Sequence, residues 1–379
     1  MNQTVTYIDN TKSLERLERS LAGGDIAVDC EAAGYHRYSD RLCLLQLSTP
    51  SGTFVLDPLA VDLAASLKPV LEDTARRALM HGGSYDLRLL RRDLGIEVPR
   101  LFDTQVAASF LGEPAIGLQA LLEKHLGIRV AKKFQRADWA RRPLPREMVA
   151  YAAGDTRHLH RLAAVLEERL GNAGRLGWAE EECSRLVEDA ANSGEREPPP
   201  DPVTRVKGAR RLGPRAVTAL REAIAWRDRI ARARDRAAFR VASDAALLEA
   251  VTTQPASLKE LRDVRGFPRR LATTDGQSLL AALGAVSRMA TSDLSPYPES
   301  RKGRGRPTLE EEATFDRLNS VRNEVAAKLG LERGRVMANH VLREVVAAGP
   351  ESLAELGAVR GVRRWQVEVL GGELLQALP

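Results

Sequence analysis

Asp25-Ile26-Ala27-Val28-Asp29-Cys30-Glu31, followed by Arg41-Leu42-Cys43-Leu44-Leu45-Gln46-Leu47, is the stretch whose reading decides the fold. The first segment is a short apolar run ending on two acids. The second is apolar enough to be buried on both faces, as in a strand covered by helices on either side of its sheet. Thr53-Phe54-Val55-Leu56-Asp57 reads as a third strand. Around them, Leu14, Leu17 and Leu21, and then Leu87, Leu90 and Leu94, recur at helical spacing. Pro145 can open one long helix near residues 146–170, with Leu159, Leu162, Val165 and Leu166 on its buried side. Alternating strand and helix signals predict an α/β domain around a central sheet.

Outward from this block, two breaks divide the 379 residues. Asn192-Ser193-Gly194 through Pro198-Pro199-Pro200-Asp201-Pro202 is polar and proline-rich and cannot continue a helix. The second break runs from Ser292 through Pro296, Pro298 and Arg301-Lys302-Gly303-Arg304-Gly305-Arg306 to Pro307. The expected organisation is an α/β domain over residues 1–190, an acidic, proline-rich linker over 191–208, a helical block over 209–290, a basic linker over 291–308 and a second helical block over 309–379. The helical blocks repeat each other at an offset of 95. Of the 29 positions from Pro255 to Leu283, 14 are identical in Pro350 to Leu378. Leu258/Leu353, Leu261/Leu356 and Val264/Val359 are spaced as one helix face, and Gly266/Gly361 stand where a helix would turn.

Composition narrows the class. Apolar residues at 44% and charged residues at 28% exclude a disordered chain, and no apolar run approaches the ~18–20 residues of a membrane span. The opening residues lack the basic-then-apolar layout of a signal peptide, and three cysteines without a CxxC pair argue against a disulfide framework or zinc site. A cytoplasmic location is expected. The net charge of +6 is unevenly spread: residues 180–201 hold eight acids and two bases, residues 205–240 twelve bases and three acids. Such asymmetry suggests a polyanionic partner, most simply nucleic acid.

Three carboxylate signals stand in the α/β block. In Val28-Asp29-Cys30-Glu31, side-chain alternation points both acids the same way at the end of a strand, with Cys30 facing away into the core. His81-Gly82-Gly83-Ser84-Tyr85-Asp86 places Asp86 at the opening of a helix after a short strand, and His81 there reads as structural. Tyr151 and Asp155 form an i,i+4 pair on one helix face. His158 and His160 are wrongly spaced from Asp155 for a zinc site. Four carboxylates converging within ~4 Å would repel by ~4 kcal/mol per pair at an effective dielectric near 20 and so need cations; all-oxygen ligation suits Mg²⁺ or Mn²⁺.

The order and spacing of Asp29 and Glu31, then Asp86, then Tyr151 and Asp155, resemble the three exonuclease motifs of the DEDD superfamily, tyrosine subtype. Arg41-Leu42-Cys43-Leu44-Leu45-Gln46-Leu47, Phe102-Asp103-Thr104-Gln105 and Asp138-Trp139-Ala140-Arg141-Arg142-Pro143-Leu144 look like the ribonuclease D family. The duplicated tail resembles the helicase-and-ribonuclease-D C-terminal domain, present twice. The resemblance implies α/β plus all-α architecture: a ribonuclease-H-like exonuclease domain with a central mixed sheet, then two small helical bundles. It implies metal-dependent trimming of RNA with a free 3′ end, such as transfer RNA precursors and other structured RNAs, to nucleoside 5′-monophosphates. By the same resemblance, Asp29 would bridge two divalent ions, and Glu31 and Asp155 would hold the ion carrying the attacking water. Asp86 would support the second ion through water, and Tyr151 would position the attacking water.

Lys132, Lys133, Arg136, Arg141 and Arg142 are candidates for substrate phosphate, with Trp139 read as core. The motifs do not read sugar identity, so a DNA 3′–5′ exonuclease stays open, as does a noncatalytic nucleic-acid-binding scaffold. The intact set of five residues argues against the scaffold, and the Tyr151/Asp155 pairing argues against a ribonuclease-H-type endonuclease. No protein partner is implied.

Overall fold

The computed structural model describes residues 5–18, 20–21, 23–130, 133–194, 201–298 and 307–379. Lys132, Pro198-Pro199-Pro200 and the 301–306 basic cluster lie outside them. Strands β1 (Val5–Ile8), β2 (Ile26–Ala32), β3 (Leu42–Thr49), β4 (Gly52–Leu56), β5 (Ala78–Met80) and β6 (Leu101–Asp103) form one sheet in the order β1-β4-β3-β2-β5-β6. Strand β3 runs antiparallel to both β2 and β4, and the remaining pairs are parallel, so the sheet is mixed. All eight residues of β3 are buried, as its apolar run requires.

Helices α1 (Thr11–Glu18), α2 (Ala64–Leu71), α3 (Ser84–Leu94), α4 (Thr104–Phe110), α5 (Leu118–Leu126), α6 (Arg146–Arg157), α7 (Leu159–Asn172) and α8 (Leu176–Ala191) complete the α/β block. The long helix expected over 146–170 is two. His158, at φ −109° and ψ 0°, ends α6 and precedes α7. The break has a packing reason. Met148, Ala152 and Ala153 of α6 pack with Cys43, Val55 and Trp139 in one core layer, whereas Leu159, Leu162, Ala163 and Leu166 of α7 join a second layer with Val28, Leu47 and Phe54. Phe54 and Val55 are neighbours on β4 and point to opposite faces. The chain therefore crosses from one face of the sheet to the other at His158, which an unbroken helix could not do.

The tail duplication is visible down to its polar contacts. Ser257 and Ser352 cap equivalent helices (Leu258–Asp263 and Leu353–Ala358) by accepting from the Glu260 and Glu355 amides. Gly266 and Gly361 both sit at positive φ (75° and 93°), where a side chain would be strained. Two buried arginines, Arg227 and Arg322, stand at equivalent positions; Arg227 donates to the Ala242 carbonyl and Arg322 to that of Met337, also 95 residues apart. One expectation needs correcting. Leu353 is 49% exposed and Val264 lies beyond its helix, so the repeated apolar face is narrower than its spacing suggests. Leu258 and Leu353 instead lie over Gly276 and Gly371, whose missing side chains make room for them.

The two repeats dock differently. The first keeps its own core around Trp226, Leu247 and Leu261. The second merges with the α/β core: Trp365 stacks on Trp178 at 5.0 Å and meets Phe110 edge-on at 5.2 Å. Around that contact Arg363 pairs with Glu182 at 3.1 Å, and Glu181 accepts from the backbone amides of Arg364 and Trp365. Part of the acidic run over 180–201 is thus an internal docking surface. Among the described residues no helix is long and apolar enough to cross a membrane.

Candidate active site

Asp29 and Glu31 project from the C-terminal end of β2, with Val28 and Cys30 between and before them facing the core. Asp155 comes down from α6, which lies over that same face of the sheet. One carboxylate oxygen from each of Asp29, Glu31 and Asp155 lies within 4.8 Å of the others, a set chemically suited to a hard divalent cation. All three line a cleft of about 570 Å³, with Cys30, His81, Gln119, Gln135 and Tyr151 also on its wall.

The electrostatics follow from this crowding. Burial, then the negative charges of Asp86, Asp155 and Glu31, hold the Asp29 carboxyl well above the usual carboxylate range. Burial and the charges of Asp155 and Asp86 do the same to Glu31. Burial raises Asp155 to about 7, and burial together with Asp103 raises Asp86 to about 7. A group of carboxyls that resists ionisation is one that a cation would relieve.

Asp86 is buried in the first turn of α3 and reaches the group electrostatically, standing outside the tight trio. Its position depends on Asp103. That buried carboxylate caps α4 by accepting from the Gln105 and Val106 amides, and also accepts from Gly82 and Gly83 at 3.0 and 2.8 Å. The turn needs its glycines: Gly82 has φ +72°, and a Cβ on Gly83 would meet the Met80 sulfur. His81 is anchored by Thr104, its Nδ1 2.9 Å from Oγ1, and the same hydroxyl donates to the Met80 carbonyl, so the histidine holds the turn together as expected.

Tyr151 is wedged between Phe134 (edge-on, 5.7 Å) and Trp139 (stacked, 6.2 Å). Trp139 is 2% exposed, in agreement with its reading as core. Burial and the charges of Asp155, Glu31 and Asp29 push the Tyr151 phenol up, keeping its hydroxyl protonated at neutral pH.

Sequence reasoning assigned no role to Gln46, which is fully buried opposite Asp29 in the β2–β3 register. With its amide nitrogen turned toward Asp29, it donates to the Asp29 carbonyl at 2.6 Å and to its carboxylate at 3.3 Å. A glutamine in the middle of an apolar strand was the available signal, since a buried amide needs partners.

The basic candidates separate. Arg142 is committed elsewhere: it grips the buried Asp57 carboxylate at 2.5 and 2.7 Å and donates to the carbonyls of Trp139 and Cys43. Its guanidinium has little left for phosphate, and that expectation is withdrawn for it. Lys133 pairs with Glu147 at 2.8 Å on the surface, whereas Arg136 and Arg141 are exposed. Lys132 lies outside the described residues.

Comparison with known proteins gives the family. Residues 5–171 match the 3′–5′ exonuclease family, and residues 217–283 and 311–378 each match the HRDC domain. A ribonuclease D from Granulibacter bethesdensis is 32% identical over 291 residues, covering 75% of this chain and 71% of that protein. One from Pseudomonas paraeruginosa is 28% identical over 356 residues, covering 93% and 92%. The solved structure of Escherichia coli RNase D, an exoribonuclease involved in structured RNA processing, shares the fold with a TM-score of 0.70 at 24% identity, covering 100% of this chain and 98% of that one. With the exonuclease domain, the paired tail domains and relatives of this similarity together, the chain belongs to the ribonuclease D family of 3′–5′ exoribonucleases.

Proposed function

We propose that this exoribonuclease removes nucleotides one at a time from a free RNA 3′ end, releasing nucleoside 5′-monophosphates. Asp29, Glu31 and Asp155, supported by Asp86, would hold two divalent ions, Mg²⁺ or Mn²⁺. The observation that carries this is the trio of carboxylate oxygens within 4.8 Å of one another on the wall of an open cleft. When bound, such ions supply an activated water and charge compensation at the phosphoryl group. Tyr151, kept protonated and locked by its two aromatic neighbours, would orient the attacking water through its hydroxyl. Gln46 holds the Asp29 carboxylate in its aim from behind. The nuclease chemistry is assigned to residues 1–190, and substrate grip to the helical units over 209–290 and 309–379. Transfer RNA precursors and other structured RNAs are the proposed substrates. Three buried, free cysteines suit a reducing cytoplasm.

The test is a Mg²⁺-dependent time course on one sequence prepared as 3′-labelled RNA, 5′-labelled RNA, the corresponding DNAs and a closed RNA circle. The expected result is immediate release of labelled mononucleotide from the 3′-labelled RNA, stepwise shortening of the 5′-labelled RNA and survival of the circle. Efficient cutting of the circle would replace this reading with an endonuclease, and equal turnover of DNA would remove the preference for RNA.

A further inference from the structure

In a chain with only 4% aromatic residues, two large rings lie side by side and open to water. Tyr35 is 43% and Phe239 52% exposed, with ring centroids 5.7 Å apart and planes tilted by 56°. Tyr35 belongs to the β2–β3 connection of the nuclease domain, and Phe239 to a short helix, Ala238–Val241, of the first tail repeat. Hydrogen bonds across the seam place them. The Ala237 amide donates to the His36 carbonyl at 3.1 Å, the Tyr38 amide donates to Asp235, and the Tyr38 hydroxyl donates to Asp228 at 3.0 Å. Asp235 takes this position at φ +42°, a conformation costly for a residue other than glycine.

The pair is flanked by cations and adjoins the catalytic cleft. The guanidinium groups of Arg240 and Arg136 stand 5.3 and 5.9 Å from the Tyr35 ring centroid. Gln135, next to Arg136, lines the cleft, and so does Glu31, four residues before Tyr35. Four residues bring Tyr35 within ~14 Å of Glu31 along the backbone. Exposed aromatic faces beside arginines present what a single strand needs: π surfaces for bases and positive charge for phosphates. A protein partner would ordinarily call for a larger apolar surface than two rings rimmed by charge.

We propose that Tyr35 and Phe239, with Arg136 and Arg240, form a stacking platform for single-stranded RNA 5′ of the nucleotide held in the cleft. The platform is split between the nuclease domain and the first tail repeat, so it exists only while the two are docked. This inference rests on the exoribonuclease reading and adds a substrate-binding subsite to it.

The test uses the full chain with Mg²⁺ and two RNA substrates: a dinucleotide too short to reach the platform and an unstructured 12-mer. Tyr35→Leu and Phe239→Leu retain apolar bulk but offer no ring to stack on. Each should raise KM for the 12-mer roughly 5- to 150-fold, the range for loss of one base–aromatic stack. Turnover at saturation and dinucleotide cleavage should stay at wild-type values. Tyr35→Phe and Phe239→Tyr should behave as wild type. An abasic nucleotide walked along the 12-mer should raise the wild-type KM at one or two positions and leave both leucine variants unaffected there. Unchanged KM for the 12-mer in both leucine variants overturns the platform. So does an equal loss on both substrates, which marks a structural role. If wild type releases no nucleotide from either RNA, the exoribonuclease reading itself has failed, a result separate from the other two.

Discussion

Replacing Asp155 by asparagine should abolish most of the metal-dependent activity and at the same time make the metal-free protein more stable. The carboxylate oxygens of Asp29, Glu31 and Asp155 lie within 4.8 Å of one another. At that separation two full charges repel by ~3 kcal/mol at an effective dielectric near 20. Burial by itself holds the Asp155 proton to about pH 7, against an ordinary value of 3.8. That difference corresponds to ~4 kcal/mol at 1.36 kcal/mol per pH unit. The folded carboxyl binds its proton more tightly than the unfolded one. The contribution of Asp155 to the stability of the metal-free wild type should therefore be fully present below about pH 4, decline up to about pH 7 and be gone beyond. Asparagine carries no charge, so Asp155→Asn lacks this contribution to the slope. In EDTA at pH 8 its Tm should exceed the wild-type value by roughly 8–16 °C, taking ~2–4 °C per kcal/mol for a domain of this size. At pH 4 the two should coincide. Mg²⁺ should reverse the order at pH 8 by stabilising the wild type far more than the variant. Thermal unfolding at pH 4, 6 and 8, with EDTA or Mg²⁺, measures all of this, and nucleotide release measures the accompanying loss of at least ~100-fold in rate. A variant no more stable than wild type at pH 8 in EDTA, or one with the same gain at pH 4 and pH 8, would refute the idea that the fold holds a buried Asp155 carboxylate charged at a cost in stability.

Tyr151→Phe keeps the ring between Phe134 and Trp139 and removes one hydroxyl, so turnover should fall roughly 5- to 150-fold while the Mg²⁺ concentration for half-maximal rate stays within about twofold; a metal titration of turnover checks both. Gln46→Leu removes the donor behind Asp29 and should lower metal affinity or activity roughly 10- to 100-fold. Direct Mn²⁺ binding, read by its paramagnetic signal, distinguishes that loss from misfolding. Trp365→Ala should cost ~3–5 kcal/mol by emptying the contact with Trp178 and Phe110, appearing as a lowered or split unfolding transition in calorimetry.

Local physics was enough to read much of this molecule from its sequence. The run Leu42–Leu47 of strand β3 is apolar at every position but Gln46, so it could only be central; Asp29 and Glu31 are two apart on a strand, so they had to share a face. Tyr151 and Asp155 are four apart on a helix, and the 95-residue repeat brings its serine caps and turn glycines with it. Each of these depends on neighbours along the chain, which sequence displays.

What remained hidden depends on groups distant in sequence. Nothing near His158 announces that the chain there must pass to the other face of the sheet, because that demand comes from two core layers built by other strands. Arg142 looked free for phosphate until Asp57, 85 residues away, claimed its guanidinium, and Gln46 had no purpose until Asp29 lay beside it. Glu181 and Glu182 read as part of a charged run until Arg363 and the amides of Arg364 and Trp365 closed over them. The meeting of Tyr35 with Phe239 spans two domains. Side-chain chemistry sets what each of these residues can bind, but a charge or a ring acquires its partner only when folding makes one face of the chain adjacent to another.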